Sequence, residues 1–140
     1  MFSLRIGSVM KREKMLTASP QTTVGQAARL MARSGVSAVV VVEGEVLVGI
    51  FTERDAVFRV VAKRCDPETT RLSEVMTPSP LTVEPDRSFG AALRLMHENG
   101  FRHLPVVENG KPVGIVTARH ALDPEMEDFV CEAQRREGIR

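Results

Sequence analysis

The sequence contains no tryptophan and no tyrosine, and its six phenylalanines are the only aromatic residues. Proteins that bind single-stranded nucleic acids by base stacking need exposed aromatic side chains, so this class of protein is not expected. The net charge is only +1, and the lysines and arginines do not gather into a basic stripe. Composition and charge together predict no nucleic-acid partner.

Cysteine is also scarce. Cys65 and Cys131 stand far apart in the sequence, without the spacing of a metal site, and are typical of free thiols in a reducing cytosol. No apolar run approaches the length of a membrane span, and the N-terminus lacks the apolar core of a signal peptide. The sequence therefore predicts a cytoplasmic protein that does not interact with a membrane.

An internal repeat is the main feature that the sequence does contain. Gly49-Ile50-Phe51-Thr52 recurs 65 residues later as Gly114-Ile115-Val116-Thr117. Each copy of such a repeat needs a neighbour to bury its apolar face, and a unit of about 60 residues is marginal alone. We therefore expect one cooperative body made of two halves. Further matched positions are Ala27, Ala28, Leu30, Met31 and Gly35 in the first copy, and Ala92, Leu93, Leu95, Met96 and Gly100 in the second.

The repeat also sets the expected domain boundaries. The first copy spans residues 5–65, the second spans residues 71–123, and a polar linker with a proline separates them. A C-terminal helix and tail follow at residues 124–140. The apolar residues of that helix lie at helical spacing and form a stripe that consists of Met126, Phe129, Val130 and Ala133.

Each copy predicts the order strand, helix, strand, strand, helix. Thr23 and Gln26 form a capping box at a helix start, and Gly35 ends that helix; in the second copy Ser88 takes the capping place and Gly100 ends the helix. The valine-rich run 37–42 indicates a strand buried on both faces, and residues 46–51 return as the next strand. This order predicts an α+β fold with two small sheets that face each other through a pseudo-twofold axis. The remaining predicted strands are 16–18, 81–83, 102–107 and 111–116, the last two joined by a turn at Asn109-Gly110.

The strand-to-helix turn that contains Thr52 and Asp55 has two interpretations. Thr52 is a natural helix cap, and Asp55 completes a capping pattern three residues later. Alternatively, the turn is a nucleotide site, because a helix start offers free N–H groups to phosphate. A carboxylate can also accept hydrogen bonds from both hydroxyls of a ribose. The residues of the turn alone leave both interpretations open.

The chain resembles a tandem pair of CBS (cystathionine β-synthase) domains, a Bateman module of the stand-alone bacterial type. The resemblance rests on Val75-Met76-Thr77-Pro78, the paired Gly-x-x-Thr turns and Arg102-His103-Leu104-Pro105-Val106-Val107, together with the repeat. It covers about residues 5–123. It implies a regulatory module that binds an adenine nucleotide, senses energy or cofactor levels, and acts on a separate partner protein.

The resemblance also implies where the ligand binds. Thr52 and Asp55 would hold the ribose and a phosphate, and Arg102 and His103 would reach the phosphates from the other copy. The expected contacts to the base are Thr17, Ala18 and Val42.

A second, weaker site is expected at the matching turn. Thr117 is present there, but His120 replaces the aspartate. An imidazole cannot accept hydrogen bonds from two ribose hydroxyls as a carboxylate does. Ser37-Ala38 also replaces Arg102-His103. The residues expected at this second site are Leu81, Thr82, Thr117 and His120.

The implied ligand is AMP, ADP or ATP, with NAD(H) and S-adenosylmethionine as further candidates, and no cofactor is required. The family also implies a homodimer, for which the C-terminal apolar stripe is a candidate surface, and an effector protein that the sequence does not identify. No Ser-His-Asp or paired-carboxylate arrangement is marked, and the three histidines lack the spacing of metal ligands, so we expect neither an enzyme nor a metal protein. The alternative function is a structural or protein-interaction module with vestigial sites.

Overall fold

The computed structural model describes residues 3–10 and 15–122. Two copies of one α+β unit form the described structure, as the repeat predicts. The helices are α1 (Ile6–Met10), α2 (Val24–Ser34), α3 (Glu53–Asp55), α4 (Leu72–Val75) and α5 (Phe89–Asn99); a π-helical segment (Ala56–Val61) follows α3, and a 3-10 helix (Ala118–Leu122) follows the last strand. The strands are β1 (Thr17–Ala18), β2 (Ala38–Glu43), β3 (Val46–Thr52), β4 (Thr77–Pro78), β5 (His103–Glu108) and β6 (Lys111–Thr117).

The predicted helix signals are confirmed at both long helices. The Thr23 backbone N–H donates to Gln26 Oε1 over 3.0 Å, and the Gln26 N–H donates to Thr23 Oγ1 over 3.2 Å, which completes the capping box of α2. Ser88 Oγ caps α5 by accepting from the Ala91 N–H over 3.1 Å. Gly35 and Gly100 end α2 and α5 in the left-handed region, with φ of 67° and 71°.

One sheet combines strands from both copies. Its order is β1-β2-β3-β4, with β1 parallel to β2 and the other neighbours antiparallel. Strand β4 belongs to the second copy in sequence but pairs with β3 of the first, with Gly49 opposite Pro78 and Ile50 opposite Thr77. Strands β5 and β6 form the second sheet as an antiparallel hairpin.

The two cores exchange short helices between the copies. Ile6 and Val9 of α1 are buried among residues of the second copy, while Leu72 and Val75 of α4 are buried among residues of the first. We call the first-copy core with α4 core A, and the second-copy core with α1 core B. Core A contains Val24, Ala27, Met31, Val39, Val41, Phe51, Val60, Leu72 and Val75; core B contains Ile6, Val9, Val83, Phe89, Ala92, Met96, Leu104, Val106 and Val116.

A third cluster lies between the two sheets and consists of Ala38, Val40, Ile50 and Ile115. Strand β2 therefore contributes alternate residues to core A and to this cluster, which confirms that it is buried on both faces. The exchange and the shared cluster mean that packing crosses the predicted boundaries 5–65 and 71–123.

Three expectations need correction or lie outside the described residues. The predicted strand 81–83 is reduced to one bridge, between Val83 and Val106, so it matches β1 in position but not in length. The helix that opens after Thr52 keeps α-helical bonding only through Asp55 and then becomes π-helical, which leaves Val57 and Val61 exposed. The C-terminal segment 124–140, with its apolar stripe, lies outside the described residues.

Candidate functional site

The Thr52 turn has the geometry of a helix cap. The Asp55 N–H donates to Thr52 Oγ1 over 3.3 Å, and the Thr52 N–H donates to Asp55 Oδ2 over 3.0 Å. The Thr52 hydroxyl also lies 3.3 Å from Oδ2. The structural interpretation of this turn is therefore confirmed, because Thr52 and Asp55 satisfy each other's orphan backbone donors.

The Asp55 carboxylate also faces groups from outside its own helix. The residue is only 7% exposed. Its second oxygen, Oδ1, lies 3.5 Å from the Thr77 hydroxyl and 3.6 Å from Arg59 Nε. Arg59 is held in place by donating to the Val75 and Met76 carbonyls, over 3.3 and 2.9 Å. Because Oδ2 takes the capping bonds and the Oδ1 contacts are long, Oδ1 has capacity to accept from a ligand.

Asp55 lines a cavity of about 630 Å³ that residues from both copies enclose. This volume lies within the range of pockets that hold small molecules and cofactors, roughly 300 to 1,000 Å³. We call it the Asp55 cavity. It is lined by Ile50, Thr52, Glu53, Arg54, Asp55, Val57, Phe58 and Arg59 from the first copy, and by Thr77, Pro80, Leu81, Gly100, Phe101, Arg102 and His103 from the second.

His103 connects the two copies at the cavity wall. Its Nε2 lies 2.7 Å from the Ser37 hydroxyl of the other copy. Burial lowers the pKa of His103 below its ordinary value; Glu53 opposes this shift, and the positive charges of Arg102 and Arg119 add to it. The imidazole therefore stands between the carboxylates of Glu53 and Asp55 and the guanidinium groups of Arg102 and Arg119.

Arginines supply positive charge at the cavity. Arg102 is exposed at the start of β5, and the Arg54 guanidinium stacks on the Phe58 ring at 4.6 Å from its centroid. Neither forms an ion pair with a carboxylate of the described residues. Both guanidinium groups are therefore available to an anionic ligand.

The structure brings four of the predicted site residues together. Thr52 and Asp55 of the first copy face Arg102 and His103 of the second across the Asp55 cavity. The other three predicted residues do not line it. Thr17 and Ala18 of β1 pair with Val40 and Val41 of β2, and Val42 packs against the cluster between the sheets.

Because the copies exchange segments, second-copy residues line the cavity where first-copy residues were expected. Leu81, which the sequence assigns to the second site, lines the Asp55 cavity, whereas Thr82 is exposed and does not line it. Sequence reasoning also missed Thr77, Pro80 and Phe101. The motif Val75-Met76-Thr77-Pro78 marks where the second copy begins, but no local signal shows that β4 joins the first copy's sheet.

The matching turn of the second copy is closed by packing. His120 Nδ1 accepts from the Thr117 N–H over 3.0 Å, so the imidazole takes the capping role of the missing carboxylate. Thr117 and His120 are buried, and the His120 ring meets Phe89 edge to face at 6.2 Å between centroids. At this turn the bond back to the threonine N–H persists without a carboxylate.

Two further searches of the described residues bear on function. None of the described helices is long and apolar enough to cross a membrane. Within the same residues, no three or more histidine, cysteine, aspartate and glutamate side chains come together in a way that could hold a metal ion.

Comparison with known families agrees with this architecture. The family model of the CBS domain matches the chain twice, at residues 6–62 and 72–125. The fold and the repeated turns define a tandem pair of such domains. The chain belongs to the CBS-domain family.

Relatives of known sequence match most of this chain. An uncharacterized protein of Methanopyrus kandleri, MK0525, is 38% identical over 89% of this chain and 64% of its own length. The CBS domain-containing protein YhcV of Bacillus subtilis is 39% identical over 74% of this chain and 73% of its own. In the plant relative CBSCBSPB2 of Arabidopsis thaliana, which is 41% identical over 81% of this chain, the match spans only 21% of the relative.

Solved structures share the fold. A protein with CBS domains from Burkholderia ambifaria superposes with a TM-score of 0.82 at 32% identity, covering 89% of this chain and 96% of the other. A CBS domain protein of Pyrobaculum aerophilum, PAE2072, has a TM-score of 0.78 at 22% identity, covering 92% and 99%. At that identity the second likeness is one of fold.

Proposed function

We propose that this chain is a regulatory module that binds an adenine nucleotide in the Asp55 cavity and acts on a separate protein. The observation that carries the proposal is the meeting of Thr52 and Asp55 with Arg102 and His103 at one cavity. A buried carboxylate with a free acceptor position suits the two hydroxyls of a ribose, and unpaired guanidinium groups suit phosphate. The role is binding rather than catalysis.

The apolar part of the cavity suits the base. Pro80, Leu81 and Phe101 line the cavity together with the polar residues. We therefore place the adenine against these second-copy residues, and not against Thr17, Ala18 and Val42. The nucleotide then bridges the two copies, with the base and phosphates touching the second copy and the ribose touching the first.

The proposed ligands are AMP, ADP and ATP, with NAD(H) and S-adenosylmethionine as further candidates. The neighbour PAE2072 was solved in complex with AMP, so the fold can hold this ligand. A ligand that contacts both copies favours the arrangement to which it binds best, and a partner protein can respond to that arrangement. We propose that the partner is an effector protein, that the module works in the cytoplasm, and that it forms a homodimer.

The second candidate function is a structural or interaction module. One observation favours it: Asp55 already has a complete capping role and a salt bridge to Arg59, so the fold alone gives it partners. The two functions differ in whether a nucleotide binds the folded chain.

Thermal denaturation with increasing AMP, ADP or ATP tests the proposal. A ligand that binds only the folded chain at 100 times its Kd stabilises it by about 2.7 kcal/mol, so Tm must rise with concentration. Asp55→Ala should remove this rise, and Asp55→Asn, which keeps a capping oxygen, should remove most of it with less loss of basal stability. Asp86→Ala, at an exposed aspartate in a loop, is the matched control.

Two results would contradict the proposal. One is a wild-type Tm that does not change with any of the three nucleotides at millimolar concentration. The other is Asp55→Ala protein that is folded and responds to nucleotide as the wild type does.

A further inference from the structure

The ends of the two hairpins meet beside His103. In the first copy, the Glu53 N–H donates to the Ser37 carbonyl over 3.0 Å, and in the second copy the Ala118 N–H donates to the Arg102 carbonyl over 3.0 Å. The Ser37–His103 contact of 2.7 Å joins these two ends. Residues that follow β3 and β6 are thus held close to the Ser37–His103 contact.

Arg119 of the second copy lies at this junction. It is the repeat counterpart of Arg54, and it lies two residues beyond Thr117, which pairs with His103 across the β5–β6 hairpin. Its positive charge contributes to the lowered pKa of His103, as that of Arg102 does. Arg119 is exposed, and no carboxylate among the described residues forms an ion pair with it.

Arg119 differs from the other arginines in its relation to the cavity. Arg54 and Arg102 line the Asp55 cavity, whereas Arg119 does not. With the ribose placed at Asp55, as proposed above, Arg102 and His103 are the second-copy residues of the cavity lining that suit the first phosphate. Arg119 lies outside the lining, so a ligand would need a longer phosphate chain to reach it. At the second copy's turn the carboxylate is replaced by His120 but an arginine is present.

We propose that Arg119 belongs to the nucleotide site of the first copy and binds the terminal phosphates of a nucleoside di- or triphosphate. The proposal deepens the proposed function and rests on it. Arg119 is then the residue that makes affinity depend on phosphate number. The second copy thus contributes a cation that binds only the longer phosphate chains in the site of the first copy.

Isothermal titration with AMP, ADP and ATP in EDTA tests this role. Arg119→Gln should weaken ATP about tenfold, equivalent to about 1.4 kcal/mol, should weaken ADP as well, and should leave AMP within about twofold. Arg119→Lys keeps the charge and should recover most of the loss. Arg102→Gln should weaken all three nucleotides. Arg94→Gln, exposed on α5 and away from the cavity, is the matched control and should weaken none.

The other outcomes overturn the assignment of Arg119. If Arg119→Gln weakens AMP and ATP equally, Arg119 does not distinguish phosphate number. If it weakens neither, Arg119 does not belong to the site. In both cases the proposed function stands as long as the wild-type protein binds a nucleotide. Wild-type protein that binds none of the nucleotides overturns the proposed function and this role together. Because Arg119 is exposed, the unliganded variant should unfold at the same urea midpoint as the wild type, which separates binding from folding.

Discussion

At the scale of single residues, Asp55 and His120 occupy matching positions of the two copies but have different surroundings. Each accepts the backbone N–H of the threonine three residues before it, so both turns keep their cap. Asp55 keeps one oxygen for the cavity, while His120 packs on Phe89. The sequence predicted that an imidazole cannot accept from two ribose hydroxyls as a carboxylate does, but it did not predict the packing of His120 on Phe89. The apolar side of the cavity was not predictable, since it depends on which copy supplies β4.

His103 gives a residue-scale prediction for pH. Its pKa is lowered in the folded chain by burial, while in the unfolded chain it stays near 6.5. The unfolded chain therefore binds more protons as the pH falls, and stability present above about pH 6.5 is lost below it. Urea unfolding of the unliganded chain at pH 7.5 and 5.5 should show this loss. His103→Gln, which can still bond Ser37, should reduce it.

His97 supplies the control for this measurement, since it is exposed on α5. His97→Gln should keep the wild-type dependence on pH. A His103→Gln variant whose stability falls as steeply as the wild type's between these pH values would show that another group controls the effect.

At the scale of elements, local signals predicted the helices and hairpins well. The caps at Thr23 and Ser88 and the turn at Asn109-Gly110 are in place, because each works through bonds between near neighbours in sequence. At the start of α4 the Arg71 N–H donates to Glu74 Oε2 over 2.7 Å, but this local bond does not indicate which copy the helix packs against. Contacts between residues distant in sequence decide which core α1 and α4 join. The spacing of apolar residues along the chain does not predict such contacts.

Two repeated glycines fit these exchanged segments. A side chain at Gly49 would collide with Met76, which follows α4, and one at Gly114 would collide with Met10, at the end of α1. Each glycine thus makes room for a methionine that arrives with the other copy's short helix. The recurrence of Gly49 as Gly114 reflects this packing, not a need for unusual backbone angles.

The Gly49–Met76 contact predicts a measurable coupling. Gly49→Ala should destabilise the chain by about 1–3 kcal/mol through overpacking. In a Met76→Ala background the same change should cost much less, because the space is then free. Urea unfolding of the two single variants and the double variant measures this coupling. Additive losses would mean that Met76 is not the group displaced.

At the scale of the whole molecule, the exchange makes neither sequence copy a complete packing unit. Core A is incomplete without Leu72 and Val75, and core B is incomplete without Ile6 and Val9. The repeat correctly predicted two copies of one α+β unit. It could not predict that each core takes a short helix from the other copy, so that the residues of a core do not coincide with one sequence repeat.

Fragments test this shift directly. A fragment of residues 15–80 contains every described residue of core A and all four strands of its sheet. A fragment of residues 5–65 matches the sequence copy but lacks α4 and β4. Circular dichroism and urea unfolding should show more native structure in 15–80, although both are small enough to be marginal. Equal structure in the two fragments would argue against the exchange as a source of stability.

The position of α1 in core B also sets an order of events during synthesis. Ile6 and Val9 leave the ribosome before the rest of core B, whose side chains include Leu104, Val106 and Val116. Core A has all its members once Val75 has emerged, so it can form while the second half is still being made. Among the described helices, α1 is thus translated before the others but can dock only after the strands of core B have been made.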